Sequence, residues 1–134
     1  MKKILFTFIL LFTISFGFAQ NASGNTVTSK EVAPVWPGCE DASSSSNCFN
    51  QKLAMHIQQN FKFPKDYTAD DKGSKVLVSF IVNKEGKVEI TQVKGGRKSL
   101  QEEAKRNILA IPDMKPGHLN GKPRDIKYTV PFNF

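Results

Sequence analysis

Apolar and polar positions along this chain fall into a few clear rhythms, and each rhythm predicts an element. Phe49, Leu53, Ile57 and Phe61 recur every fourth residue, the spacing of a helix stripe that faces a core. Asn47 or Ser46 is placed to cap that helix, and Pro64 limits its end. Pro64 to Asp71 is polar and turn-like, with room for one helical turn. From Lys75 to Asn83 the pattern changes to strict alternation. Val76, Val78, Phe80 and Val82 point one way; Leu77, Ser79 and Ile81 point the other. Apolar residues on both sides predict a central strand, covered on one face and partly on the other. Asn83-Lys84-Glu85-Gly86 is a hairpin signal, with Gly86 supplying a positive φ. Lys87 to Val93 is the returning strand, ended by Gly95-Gly96.

A second helix opens at Ser99, whose spacing to Glu102 is that of a capping box. Glu102 and Glu103 then serve the cap and the helix dipole. Leu100, Ala104, Ile108 and Ile111 form its apolar side, and Pro112 stops it. Asn120-Gly121 is a strong short hairpin signal. Finally Ile126, Tyr128, Val130, Phe132 and Phe134 alternate with Lys127, Thr129, Pro131 and Asn133, a strand with one buried and one wet face. Pro131 has no N–H to give a ladder, so one side of this strand should be free. Near the start, Val32 to Trp36 predicts a short edge strand ended by Pro37-Gly38. The order helix, strand, strand, helix, strand predicts an α+β domain: a small antiparallel sheet with two helices packed on one face.

The N-terminal segment changes how length and charge are read. Met1-Lys2-Lys3 followed by the apolar run Ile4 to Phe18, with Ala19 before Gln20, has the form of a secretory signal cleaved after Ala19. Ile4 to Ala19 spans about 24 Å as a helix, short for a bilayer core of about 30 Å. The rival is an uncleaved inner-membrane anchor. The expected organisation is a signal peptide at 1–19, a flexible Asn/Ser/Thr-rich leader at 20–31 and one folded domain at 32–134. Of 19 basic residues Lys2 and Lys3 leave with the signal, so 17 face 12 acidic ones. That surplus is scattered, with only Arg97-Lys98 and Lys105-Arg106 adjacent, so no nucleic-acid partner is expected.

Export also frames Cys39 and Cys48, the only cysteines. In an oxidising compartment a disulfide is their default, and closing so short a loop stabilises by about 2–3 kcal/mol. The competing reading, a redox or metal pair, lacks the short spacing and nearby histidine it needs. No catalytic set stands out. His56 lies beside the apolar stripe of the first helix and suits a structural role, and His118 sits at a turn. Asp70-Asp71, next to Lys72, reads as a solvated loop. No phosphate loop, Gly-x-Ser-x-Gly or His-x-x-x-His occurs. The expectation is a non-enzyme with no cofactor and no metal. What remains is a sheet edge with two readings on physical grounds: it takes an extended peptide as an added strand, with Lys127 and Pro131 guarding it against indiscriminate pairing, or it is merely an edge they protect.

Phe63-Pro64, the strand Val76 to Val82 with Gly86-Lys87-Val88, Leu100 with Glu103-Ala104, Pro112, Pro116-Gly117, Gly121-Lys122-Pro123 and Tyr128-Thr129-Val130-Pro131-Phe132 follow in a characteristic order. Together they resemble the TonB C-terminal domain family, from about Val35 to Phe134. Pro37-Gly38-Cys39-Glu40 with Cys48 after it is similar to the Bacteroidetes-type variant. The resemblance implies a periplasmic domain that binds an N-terminal segment of an outer-membrane TonB-dependent receptor by strand addition to Ile126–Phe134. Phe63, Pro64, Ile126, Tyr128, Val130 and Phe132 are the partner-binding residues it implies. It also implies a domain able to pair or swap strands as a homodimer.

Three departures from the family pattern stand out. Phe63-Pro64 replaces Tyr-Pro, Met114 replaces an aromatic, and the long Pro-rich spacer is missing. From Gln20 to Lys30 the chain reaches at most about 40 Å, so the expectation is a stand-alone binding domain rather than a complete energy transducer. Gln92-Val93-Lys94-Gly95 has a superficial similarity to the cystatin hairpin signature. It leads toward Ser99 and its helix rather than across a hairpin, which argues against a secreted protease inhibitor.

Overall fold

The structure, a computed structural model, describes residues 30–134; the expected signal peptide and the leader up to residue 29 lie outside the described residues. The predicted helices and long strands form in order, while the edge strand expected over Val32 to Trp36 shrinks to Glu31–Val32 with an isolated bridge at Val35. The elements are β1 (Glu31–Val32), α1 (Ser45–Asn60), a single 3-10 turn (Ala69–Asp71), β2 (Lys75–Val82), β3 (Val88–Lys94) and α2 (Lys98–Leu109). Next come β4 (His118–Leu119), β5 (Lys122–Pro123) and β6 (Ile126–Asn133). The strands make two antiparallel sheets, ordered β3-β2-β6 and β1-β4-β5. The second has no sequence rhythm to announce it, because two-residue strands carry no period. It holds the chain entry against the Asn120-Gly121 hairpin, whose residues both have positive φ.

In the main sheet β2 is central, as its two-sided apolar pattern demands. Val76, Val78, Phe80 and Val82 are fully buried beneath Phe49 and Leu53 of α1 and Leu100, Ala104 and Ile108 of α2. Leu77, on the opposite face, is 38% exposed. Both helices therefore cover the same face. Gly86 closes the β2–β3 hairpin at φ +81°, and the Met114 N–H donates to its carbonyl at 3.0 Å. Cys39 and Cys48 form a disulfide that ties the turn after Trp36 to the first turn of α1. Trp36 then packs edge-on against Phe49, with ring centroids 5.7 Å apart.

Several local expectations shift. Helix α1 starts four residues earlier than its apolar stripe, and its cap is Ser44, whose hydroxyl accepts the Asn47 N–H; Asn47 and Ser46 lie inside the helix. Helix α2 starts after Arg97, and no side chain caps it. The Ser99 hydroxyl is taken by the Arg97 guanidinium instead. Glu102 pairs with Lys105 and Glu103 with Arg106, so neither acts as a cap. Asp71 is not part of a solvated loop: it is 5% exposed and ion-paired with Arg97. His56 is structural, bonded through Nε2 to the Asn107 carbonyl at 2.9 Å.

Candidate binding edge

Strand β6 pairs with β2 along its whole length, from Val82↔Ile126 to Lys75↔Asn133, without a break in register. On its other side no strand pairs with it among the described residues. Antiparallel geometry decides which backbone groups are spare. The Phe134 N–H donates to the Ser74 carbonyl, and a proline cannot donate. Tyr128, Val130 and Phe132 therefore turn their amides toward β2, as does Ile126. The N–H groups of Lys127, Thr129 and Asn133 point outward. The missing donor of Pro131 falls on this outer side, where its loss breaks no bond to β2.

The side chains follow the same alternation. Ile126, Val130 and Phe132 are buried, and Tyr128 is half-buried. The Tyr128 ring stacks on Phe49 at 4.4 Å and on Phe80 at 5.5 Å. Burial, with the nearby Glu31 carboxylate, pushes its hydroxyl up to about 12. These four residues set the position and direction of the strand; their side chains face the core. Thr129 faces the other way, its hydroxyl 3.0 Å from that of Ser79.

The two edges of the sheet are unequal. On β3 the register steps between Ser79↔Gln92 and Phe80↔Ile90, leaving Thr91 unmatched. A bulge of this kind bends a strand and spoils further pairing. On β6 there is no such interruption.

Beside the far half of β6 lies a shallow groove of about 490 Å³, lined by Ile57, Gln58, Phe61, Pro131, Phe132 and Asn133. Phe63 and Pro64 sit next to it, in the turn that leaves α1. Phe63 is 58% exposed. Its ring meets Phe61 at 5.0 Å and Tyr67 at 4.5 Å, and Phe61 meets Phe134 at 5.3 Å. The aromatic line runs from the end of β6 to the exposed turn. Phe63 and Pro64 thus lie at one end of the open strand, although 60 or more residues separate them from it in sequence. Sequence reading missed Arg97, which holds this turn; an arginine following Gly95-Gly96 gave no signal of its partners.

Among the described residues no helix is long and apolar enough to cross a membrane, and no group of three or more His, Cys, Asp or Glu residues could hold a metal ion. No curated protein matches this chain. A solved structure similar to it is that of the TonB C-terminal domain of Helicobacter pylori, residues 179–285. It is 19% identical, with a TM-score of 0.45, over 73% of this chain and 88% of that one. The family described as Gram-negative bacterial TonB protein C-terminal matches residues 59–134, from the last turn of α1 through β6. The chain belongs to the TonB C-terminal domain family.

Proposed function

We propose that this domain works in the periplasm as a protein-binding module. It takes an extended N-terminal segment of an outer-membrane TonB-dependent receptor as an added strand on β6. The observation that carries this reading is the unequal pair of edges: β3 is interrupted at Thr91, while β6 runs unbroken over eight residues. Backbone bonds to Lys127, Thr129 and Asn133 supply the pairing. Phe63, Pro64 and the Phe61 groove flank the visitor's far end. Family membership supports a place in TonB-dependent transport. Binding needs no chemistry on the visitor, and no catalysis is assigned.

The same reading includes cleavage of the signal after Ala19, which would release the domain from the inner membrane. Intact mass of the envelope protein tests that half, and a chain still beginning at Met1 supports an anchored transducer instead. Titration with labelled N-terminal peptides of the cell's outer-membrane receptors tests the binding half. Saturable binding by one or more is expected; no binding at high micromolar concentration by any of them overturns it.

A further inference from the structure

Arg97 is half-exposed, yet its guanidinium is fully engaged. It forks onto Asp71, with Nε donating to Oδ1 at 2.6 Å and Nη2 to Oδ2 at 2.7 Å. Nη1 donates to the Asp66 carboxylate and to the Ser99 hydroxyl, and Nη2 also reaches the Asp66 carbonyl at 2.6 Å. The buried Asp71 carboxylate accepts the Thr68 N–H as well, at 2.8 Å. Arg97 and Thr68 together hold it down at about 2. A surface ion pair alone contributes little. This one is a two-point fork on a buried carboxylate, a geometry lysine cannot copy.

The segment that Arg97 grips leads to the candidate edge at both of its ends. Asp66 follows Phe63-Pro64 and so sits at the root of the exposed aromatic turn. Asp71 stands just before the clasp that ends β6. Its carbonyl accepts the Ser74 N–H at 2.9 Å, the Gly73 N–H donates to the Phe134 carbonyl at 2.7 Å, and the Phe134 N–H donates to the Ser74 carbonyl at 3.0 Å. Strand ends fray unless they are tied. A frayed end would carry off the outward amide of Asn133 and the groove wall made by Pro131 and Asn133.

We infer that Arg97 is the positioning residue of the docking edge: through Asp71 it fixes the clasp at Phe134, and through Asp66 it fixes the Phe63 turn beside it. This rests on the strand-addition reading, but its structural half can be tested independently of that reading. The comparison is amide hydrogen exchange in the whole domain, wild type against Arg97→Lys, which keeps the charge and loses the fork. Exchange at Gly73 and Phe134 should rise about tenfold or more, while Val78 and Val130 change less than twofold. Affinity for a bound receptor peptide should fall about tenfold. If Arg97→Lys does not fold, Asp71→Asn carries the same comparison, since it weakens the fork and keeps an acceptor. Unchanged protection at Gly73 and Phe134 overturns the inference. So does an equal rise at all four amides, which would make Arg97 a contributor to overall stability alone. A wild-type domain that binds no receptor peptide removes the proposed function, while the exchange comparison still decides whether Arg97 holds the clasp.

Discussion

Replacing Thr129 by proline removes one outward donor from β6 and leaves every bond to β2 in place. The native strand already carries a proline two residues on, at Pro131, with the same outward phase. What the fold loses is the exposed hydroxyl contact between Thr129 and Ser79, a small cost. What a docked peptide loses is larger. One backbone hydrogen bond contributes about 0.5–1.5 kcal/mol net. The proline ring also occupies the space of the missing hydrogen and pushes the visitor's next bond out of line. Two bonds lost come to about 1–3 kcal/mol, a rise in Kd of about 5- to 150-fold. Fluorescence anisotropy with a labelled receptor peptide, at one fixed salt concentration, reads this directly, and a thermal melt confirms that the domain stays folded. An unchanged Kd, within twofold, in a folded Thr129→Pro domain would refute the edge as the docking site. Val130 is no substitute probe: it is 9% exposed and faces the core, so changes there test the fold.

Three further outcomes follow from the packing. Converting Cys39 and Cys48 together to serine should lower stability by about 2.6 kcal/mol on the chain-entropy estimate for the nine-residue separation; urea unfolding with and without the bridge measures it. Gly86→Ala should cost more than about 2 kcal/mol, because a Cβ there would lie 1.6 Å from the Met114 carbonyl oxygen at a positive φ; thermal unfolding checks it. Tyr128 keeps its proton in the fold up to about pH 12, above the ordinary value of 10. The folded state then holds more protons than the unfolded one across that window, so stability should fall as pH rises from 10 to 12. Unfolding measured across that range should show a shallower decline in Tyr128→Phe.

The elements that bury a whole face were legible because burial imposes a period. Val76 to Val82 and Ile126 to Phe134 show it as alternation, and Phe49 to Phe61 as a four-residue step. The free side of β6 was legible from a single residue, Pro131. Positions fixed by tertiary neighbours were not. Ser43 to Ser46 are identical in type, so only the structure selects Ser44 as the cap. Ser99 has the capping-box spacing but is claimed by Arg97. Asp71 looks like its neighbour Asp70 in sequence, yet one is buried and the other exposed, because the arginine that meets it lies 26 residues away. The partner-binding positions expected on β6 were legible as a strand, but the side chains of Ile126, Val130 and Phe132 turn inward; under the proposed function the amides of their neighbours would carry the contact.

The bulge at Thr91 has a consequence for stoichiometry. A sheet open on both sides can join copies of the domain without end, since each copy docked by one margin still offers its other. Here only β6 is uninterrupted, so two copies meeting through β6 would use up each other's single edge and form a closed pair instead of starting a fibre.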